Sequence, residues 1–236
     1  MKAKVNLQLL KTTTFDSGAL GLLAMVIHQF HSVGYYQVAI RQQGRSVADT
    51  DFVVDEKSEV LQLNIDLARI AQETKMRPDD HKSKREKQMM RVVSPKGYVL
   101  FYASAVGGYS VIVSKEDGLI FDSTKLSEGD LFAVSLLEPG NYSMMNRIGS
   151  ASGAIVVSLT SEVAKQIKTL ETRYIDANEK KFDPDRIELA SSQGLVFRIK
   201  DSAQILITKK DSPPPERYKP IIHWQKFETV KRQSSK

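Results

Sequence analysis

Glu128 to Leu159 reads EGDLFAVSLLEPGNYSMMNRIGSASGAIVVSL, and its rhythm decides the fold class. Leu131 to Leu137 alternates in the two-residue period of a half-buried strand. Pro139-Gly140 supplies turn chemistry, because proline presets one backbone angle and glycine tolerates conformations other residues avoid. Asn141 to Met145 alternates again and predicts the return strand of a hairpin, with Tyr142 in the core. A small-residue run, Ser150-Ala151-Ser152-Gly153, then leads into an apolar strand over Ala154 to Leu159.

The same signals continue on both sides. Tyr98 to Ala103, Tyr109 to Val113 and Leu119 to Phe121 are short strands punctuated by Pro95-Lys96-Gly97, Gly107-Gly108 and Asp117-Gly118. Asp-Gly is a favoured two-residue hairpin turn. Downstream, Ile187 to Ala190, Leu195 to Ile199 and Ile205 to Thr208 repeat the pattern. Upstream, Val5 to Leu9, Tyr35 to Ile40, Asp51 to Val54 and Val60 to Leu67 do likewise, with Gln43-Gly44-Arg45 as a turn. Such closely spaced strands predict a mainly β protein of antiparallel β-sandwich units, Ig-like or cupredoxin-like, with one or two short helices.

Two stretches are the candidates for those helices. Ala19 to Phe30 is apolar with few β-branched residues; periodicity leaves strand and helix open, and composition leans toward a short buried helix. Ser161 to Tyr174 places Val163, Ile167, Leu170 and Tyr174 at helical spacing behind a capping serine. Composition shifts over 71–91. The organisation expected is therefore an N-terminal β-rich unit over 1–70, a charged linker or helix over 71–91 and a sandwich unit over 92–210 with the helix 161–174 inserted. Residues 211–236 follow as a spacer, Ser212-Pro213-Pro214-Pro215, and an anchor of Ile221, Ile222, Trp224 and Phe227.

Composition narrows the function classes. The 236 residues are 41% hydrophobic and 26% charged, which suits a folded chain, and they carry a net charge of +6. The absence of cysteine excludes disulfides, thiolate metal sites and cysteine nucleophiles, and it fits a reducing, cytoplasmic compartment. The longest apolar run, Ala19 to Ile27, is too short to span a bilayer.

Two local patterns resemble known families. Leu136-Leu137-Glu138-Pro139-Gly140-Asn141-Tyr142 resembles the L-x-P-G-x-Y turn of prealbumin-like and other Ig-like sandwich modules. That resemblance implies a turn linking two strands with its tyrosine packed on the core. Phe182-Asp183-Pro184-Asp185-Arg186-Ile187-Glu188-Leu189, continuing through Gly194, Val196, Phe197 and Asp201, resembles the entry strands of cupredoxins. The position of a first copper histidine holds Gln204-Ile205, and there is no cysteine, so this resemblance implies a copper-free sandwich.

No catalytic constellation is legible: there is no G-x-S-x-G elbow, no phosphate-cradling loop and no EF-hand ligand set. His28 and His31 have the spacing that would place both imidazoles on one side of a helix, as a metal pair needs. The plainer reading is two partly buried histidines flanking an apolar segment. His81 to Arg91 is densely basic, and Lys82, Lys84, Arg85 and Lys87 could neutralise phosphates. No aromatic residue is interleaved to stack on bases, so a solvated surface is the plainer reading there too. The function expected is a non-catalytic assembly or accessory subunit with no cofactor. It would bind other protein subunits through sheet edges, Met144 and Met145, and the tail residues Ile221, Ile222, Trp224 and Phe227. The alternatives are a nucleic-acid-associated protein and a metal-binding protein or enzyme at His28 and His31.

Overall fold

The computed structural model describes Leu9 and residues 11–76, 90–116, 118–159 and 170–210. In chain order the strands are β1 (Thr14–Asp16), β2 (Ala24–His28), β3 (Gly34–Gln42), β4 (Arg45–Val54), β5 (Gln62–Asp66), β6 (Val92–Val93), β7 (Tyr98–Tyr102), β8 (Tyr109–Lys115) and β9 (Gly118–Asp122). They continue as β10 (Leu131–Ser135), β11 (Gly140–Asn146), β12 (Ser152–Ser158), β13 (Arg173–Ala177), β14 (Phe182–Asp183), β15 (Arg186–Ala190), β16 (Gly194–Ile199) and β17 (Ile205–Lys209). Helix α1 (Leu67–Met76) lies between β5 and β6.

These strands form three sheets. A seven-stranded sheet runs β14-β13-β16-β10-β2-β7-β5, and the two five-stranded sheets run β6-β4-β3-β8-β9 and β1-β17-β11-β12-β15. Period-two patterning sends alternate side chains into one continuous core: Tyr142 and Met144 from β11, Ile155 and Val157 from β12, Leu195, Phe197 and Ile199 from β16. A five-stranded sheet meets the long one at Phe121 and Phe101, whose rings stack at 5.6 Å. Each such buried phenylalanine contributes about 1.5–3 kcal/mol of transfer free energy.

The strands fall into two sets with the same wiring. β3 lies between β4 and β8, and β11 lies between β12 and β17. β4 carries parallel β6, and β12 carries parallel β15. Parallel pairs β5–β7 and β13–β16 follow, with β7 on β2 and β16 on β10. β2 and β10 then join the sets, antiparallel, with Val26 opposite Phe132 at the centre. Ile27 opposite Leu131 and Met25 opposite Ala133 flank that centre symmetrically, so the two sets are related by a pseudo-twofold through it. The sequence repeats with the same shift: Phe15-Asp16-Ser17-Gly18-Ala19-Leu20 against Phe121-Asp122-Ser123-Thr124-Lys125-Leu126, a displacement of 106 positions (121 minus 15).

The strand leading each set is exchanged. β1, ahead of the first set, pairs with β17 of the second, and β9, ahead of the second, pairs with β8 of the first. Reciprocal hydrogen bonds fix the exchange. Ile205 N donates to Ser17 Oγ at 3.1 Å and Val111 N donates to Ser123 Oγ at 3.0 Å, and both serines are fully buried.

The mainly β expectation holds, but the pairing is mixed, since four of the strand pairs above are parallel. Ala19 to Phe30 contains strand β2 in place of the expected helix: Ala24 and Val26 are buried while Met25 and Ile27 are half-buried, a period of two. β2 sits mid-sheet between β10 and β7, and such covering produces a continuous apolar run that periodicity cannot distinguish from helix. Of the expected helix 161–174, residues 161–169 lie outside the described residues, and Tyr174 belongs to strand β13. Pro139-Gly140 does not close a hairpin. β10 and β11 lie in different sheets, so the turn is a corner between layers. No sheet boundary falls at 71–91 either, since β3–β8, β4–β6 and β5–β7 pair across it. Gln43-Gly44 is the hairpin turn expected, with φ of 52° and 77° matching a type I′ geometry.

Candidate functional site

A pseudo-twofold lets each set serve as the reference for the other, and the places where they differ are candidates for function. Much is shared. Tyr36 donates to Ser32 O and Tyr142 to Glu138 O, both at 2.6 Å, so each set has the same tyrosine corner. Gly34 and Gly140 precede the two tyrosines with φ of +146° and +145°, under the Lys115 and Lys209 side chains respectively. Burial and loss of solvent raise the hydroxyl pKa of Tyr36, and they push that of Tyr142 up to about 12, with the Glu138 carboxylate adding to the latter.

The exchanged edge strands differ. β9 ends its sheet and exposes Leu119 and Ile120, at 64% and 45%. A bulge leaves Ile120 without a cross-strand partner: Val113 pairs with Phe121 and Ser114 with Leu119. On β1 and the residue before it the same positions are Thr13 and Thr14. One edge is apolar and its counterpart is hydroxylated.

Beside that edge lies a cleft of about 390 Å³ lined by Gly18, Arg41, Gly108, Ser110, Asp122 and Thr124 among others. At the counterpart position both oxygens of Asp16 are hydrogen-bonded. There Gln204 Nε2 donates to Asp16 Oδ1 at 3.1 Å, Arg147 Nη1 to Asp16 Oδ2 at 3.1 Å, and Gly18 N to Oδ1 at 2.8 Å. In the cleft, Thr124 N and Oγ1 hold Asp122 Oδ1 at 2.8 and 2.7 Å. Ser110 stands in the place of Gln204 and is too short to repeat its bond. Arg41 stands in the place of Arg147. Among the described residues no group bonds Asp122 Oδ2 or the Arg41 guanidinium.

A third difference involves His28. It ends β2, and its Nδ1 lies 2.5 Å from Asp130 Oδ1. Asp130 is 1% exposed, and its second oxygen accepts from Ser127 N at 2.7 Å. The imidazole rests against Phe30 and Phe121, with centroids at 4.3 and 4.9 Å. His31 lies in the exposed turn after the strand. A strand and a turn replace the helix that would have set both imidazoles on one side, and His28 spends a ring nitrogen on Asp130. Among the described residues no group of three or more histidine, aspartate or glutamate side chains could hold a metal.

Of the expected contact residues, Met144 is buried in the core at 1% and Met145 is exposed at 43%. The methionine pair thus divides between core and surface, as alternation requires. Asn146 beside them is buried and knits loops, donating to Asn178 O and Ser202 O and accepting from Gln204 N. Ile221, Ile222, Trp224 and Phe227, and likewise Lys82, Lys84, Arg85 and Lys87, lie outside the described residues. Neither the Leu119 and Ile120 edge nor the Arg41 and Asp122 cleft was singled out from the sequence. The repeated F-D-S-x-x-L and G-x-Y motifs were the signal that could have led to both. Among the described residues no helix is long and apolar enough to cross a membrane. No family model, curated protein or solved structure matches this chain.

Proposed function

We propose that the chain is a non-catalytic β-sandwich subunit that assembles with partner proteins through its β9 edge. The observation behind this reading is the contrast between Leu119 and Ile120 on β9 and Thr13 and Thr14 at the counterpart edge. An edge strand offers unpaired main-chain groups for strand addition, and exposed aliphatic side chains beside them add apolar contact. A fold with no need of that edge would keep it polar, as the counterpart is. Absence of cysteine fits assembly in the reducing cytoplasm.

The test is co-purification of the full chain from its native cells, with light scattering on the eluted species. Leu119→Lys combined with Ile120→Lys should release partner proteins, whereas Thr13→Lys combined with Thr14→Lys should retain them. Retention by the β9 variant, or equal loss from both variants, would sink the proposal.

A further inference from the structure

We infer that the outer face of the seven-stranded sheet is a self-association surface, covered by the same face of a second copy of this chain. Where one face of a sheet meets solvent, the residues that alternate with the core are polar. The two five-stranded sheets follow that rule: Gln37, Asp49 and Asp51 face outward from one, and Ser143, Glu188 and Thr208 from the other. The seven-stranded sheet does not. Val26, Phe101, Phe132 and Phe197 are fully buried on its core side, but the residues between them are apolar too. Met25 and Ile27 on β2, Leu100 on β7, Leu131 and Ala133 on β10 and Val196 on β16 all turn outward. Register joins them into one patch, with Met25 opposite Ala133, Ile27 opposite both Leu131 and Leu100, and Val196 opposite Ala133. Each is half-buried, and among the described residues no helix or strand lies across them. Every described strand belongs to one of the three sheets, and α1 packs against β4 and β8 on the core side.

Shape, charge and area name the occupant. A pleated apolar face packs well on another, about 10 Å away, with side chains interdigitating. A second copy turned about an axis parallel to the strands sets Met25 over Ala133, large on small, and Ile27 over Leu131. Charge chooses that axis. The β5 end of the face carries Asp66, whose neighbour Arg69 is engaged by Glu73. At the β13 end Arg198 and Lys200 both pair with Asp176 and outnumber it. An axis along the strands lays the acidic end of one copy on the basic end of the other, whereas an axis across them lays each end on its like. The face measures about 30 by 17 Å, so two copies bury on the order of 1,000 Å², the lower limit for a specific contact. The dimer is therefore weak and reversible, with a dissociation constant on the order of 10 μM. This face lies apart from the β9 edge and needs no partner there.

Sedimentation velocity of the purified full chain, at concentrations bracketing that value, should show a monomer–dimer equilibrium. Ile27→Lys buries an unpaired charge at the centre of the face in both copies and should weaken the dimer more than about a hundredfold. Leu100→Gln, uncharged and similar in volume, should weaken it about tenfold and repeats the test should the lysine variant unfold in circular dichroism. Gln37→Lys, on the polar outer face of a five-stranded sheet, should leave the dimer unchanged, as should Leu119→Lys with Ile120→Lys on the β9 edge. The chain has no cysteine, so single-cysteine variants read the orientation cleanly. Asn64→Cys mixed with Tyr174→Cys should join through a short bismaleimide, whereas Asn64→Cys alone should not, because the two β5 strands then lie about 25 Å apart. A strictly monomeric chain, a dimer that survives both face variants, or cross-linking of Asn64→Cys to itself in place of Tyr174→Cys would each overturn the inference. A monomer in which Ile27→Lys shifts the emission of Trp224, the single tryptophan, to the red would also overturn it, by naming residues 211–236 of the same copy as the cover.

Discussion

His28 and Asp130 face each other at one end of the β2–β10 pairing, Nδ1 to Oδ1 at 2.5 Å, and the twofold-related pair at the other end is Val134 with Ala24. The polar pair and the apolar pair occupy equivalent ground, so the protein carries its own substitution experiment. Asp130→Ala strands His28 and leaves Ser127 N without its acceptor. Bonds to a charged group are each worth about 1.5–3 kcal/mol, and the variant should lose that order of stability in urea unfolding at pH 7. The double variant His28→Val, Asp130→Ala reproduces the apolar pair, and it should lose less than the two single variants added together. Strict additivity would show that the pair is not coupled.

Tyr142 gives the fold an alkaline limit. Its hydroxyl is buried, donates to Glu138 O at 2.6 Å, and holds its proton up to about 12. In the unfolded chain tyrosine ionises near pH 10, so above that pH the unfolded state sheds a proton that the folded state keeps. Stability is therefore fully present below about pH 10 and declines as pH rises toward 12, by about 2–3 kcal/mol at 1.36 kcal/mol per unit. Tyr142→Phe should cost about 1 kcal/mol at pH 7, the lost hydrogen bond, and should flatten the alkaline decline. A pH-stability curve parallel to the parent's would show that another group sets the limit.

Gly140 is constrained twice. Its φ of +145° disfavours any side chain, and a Cβ there would lie 2.7 Å from Lys209 Cε. Gly140→Ala should lower stability by more than about 1 kcal/mol, because the backbone strain of a non-glycine residue in such a region runs to about 1–3 kcal/mol. Adding Lys209→Ala removes the clash but also the ion pair with Glu138, and it leaves the backbone strain. The double variant should therefore remain well below the parent in chemical denaturation. Full recovery would mean that the lysine contact alone, and not φ, requires glycine.

Strand identity was legible where one face of a strand meets solvent or a polar neighbour, as in β3, β8, β11 and β16, because alternation survives there. It was not legible in β2, which lies between two neighbouring strands and carries apolar residues on its half-buried face as well as its buried one, so that Ala19 to Ile27 reads as an unbroken apolar run. Connectivity was harder still. Pro139-Gly140 carries the composition of a hairpin, but nothing local in it says that the chain leaves one sheet for another. That information lies in Tyr142, whose hydroxyl reaches back to Glu138 and fixes the corner, and in the matching Tyr36 and Ser32. The cleft was hidden for a related reason. Arg41, Ser110 and Asp122 are ordinary residues far apart in sequence, and only comparison with Arg147, Gln204 and Asp16 shows that Thr124 Oγ1 takes the place on the aspartate that the glutamine amide holds in the other set.

The exchanged leader strands predict a paired signature in amide exchange. Ser17 Oγ accepts from Ile205 N, and Ser123 Oγ accepts from Val111 N, with all four groups inside the core. Removing either hydroxyl leaves a buried N–H unpaired, which costs about 1–3 kcal/mol. Ser17→Ala should speed exchange at Ile205 and leave Val111 protected, and Ser123→Ala should do the reverse. Global unfolding would expose both amides together, so the selectivity separates local loss of the exchanged strand from general destabilisation. Equal acceleration of both amides in either variant would mean that β1 and β9 are not independent clasps, and that the two sets open as one unit.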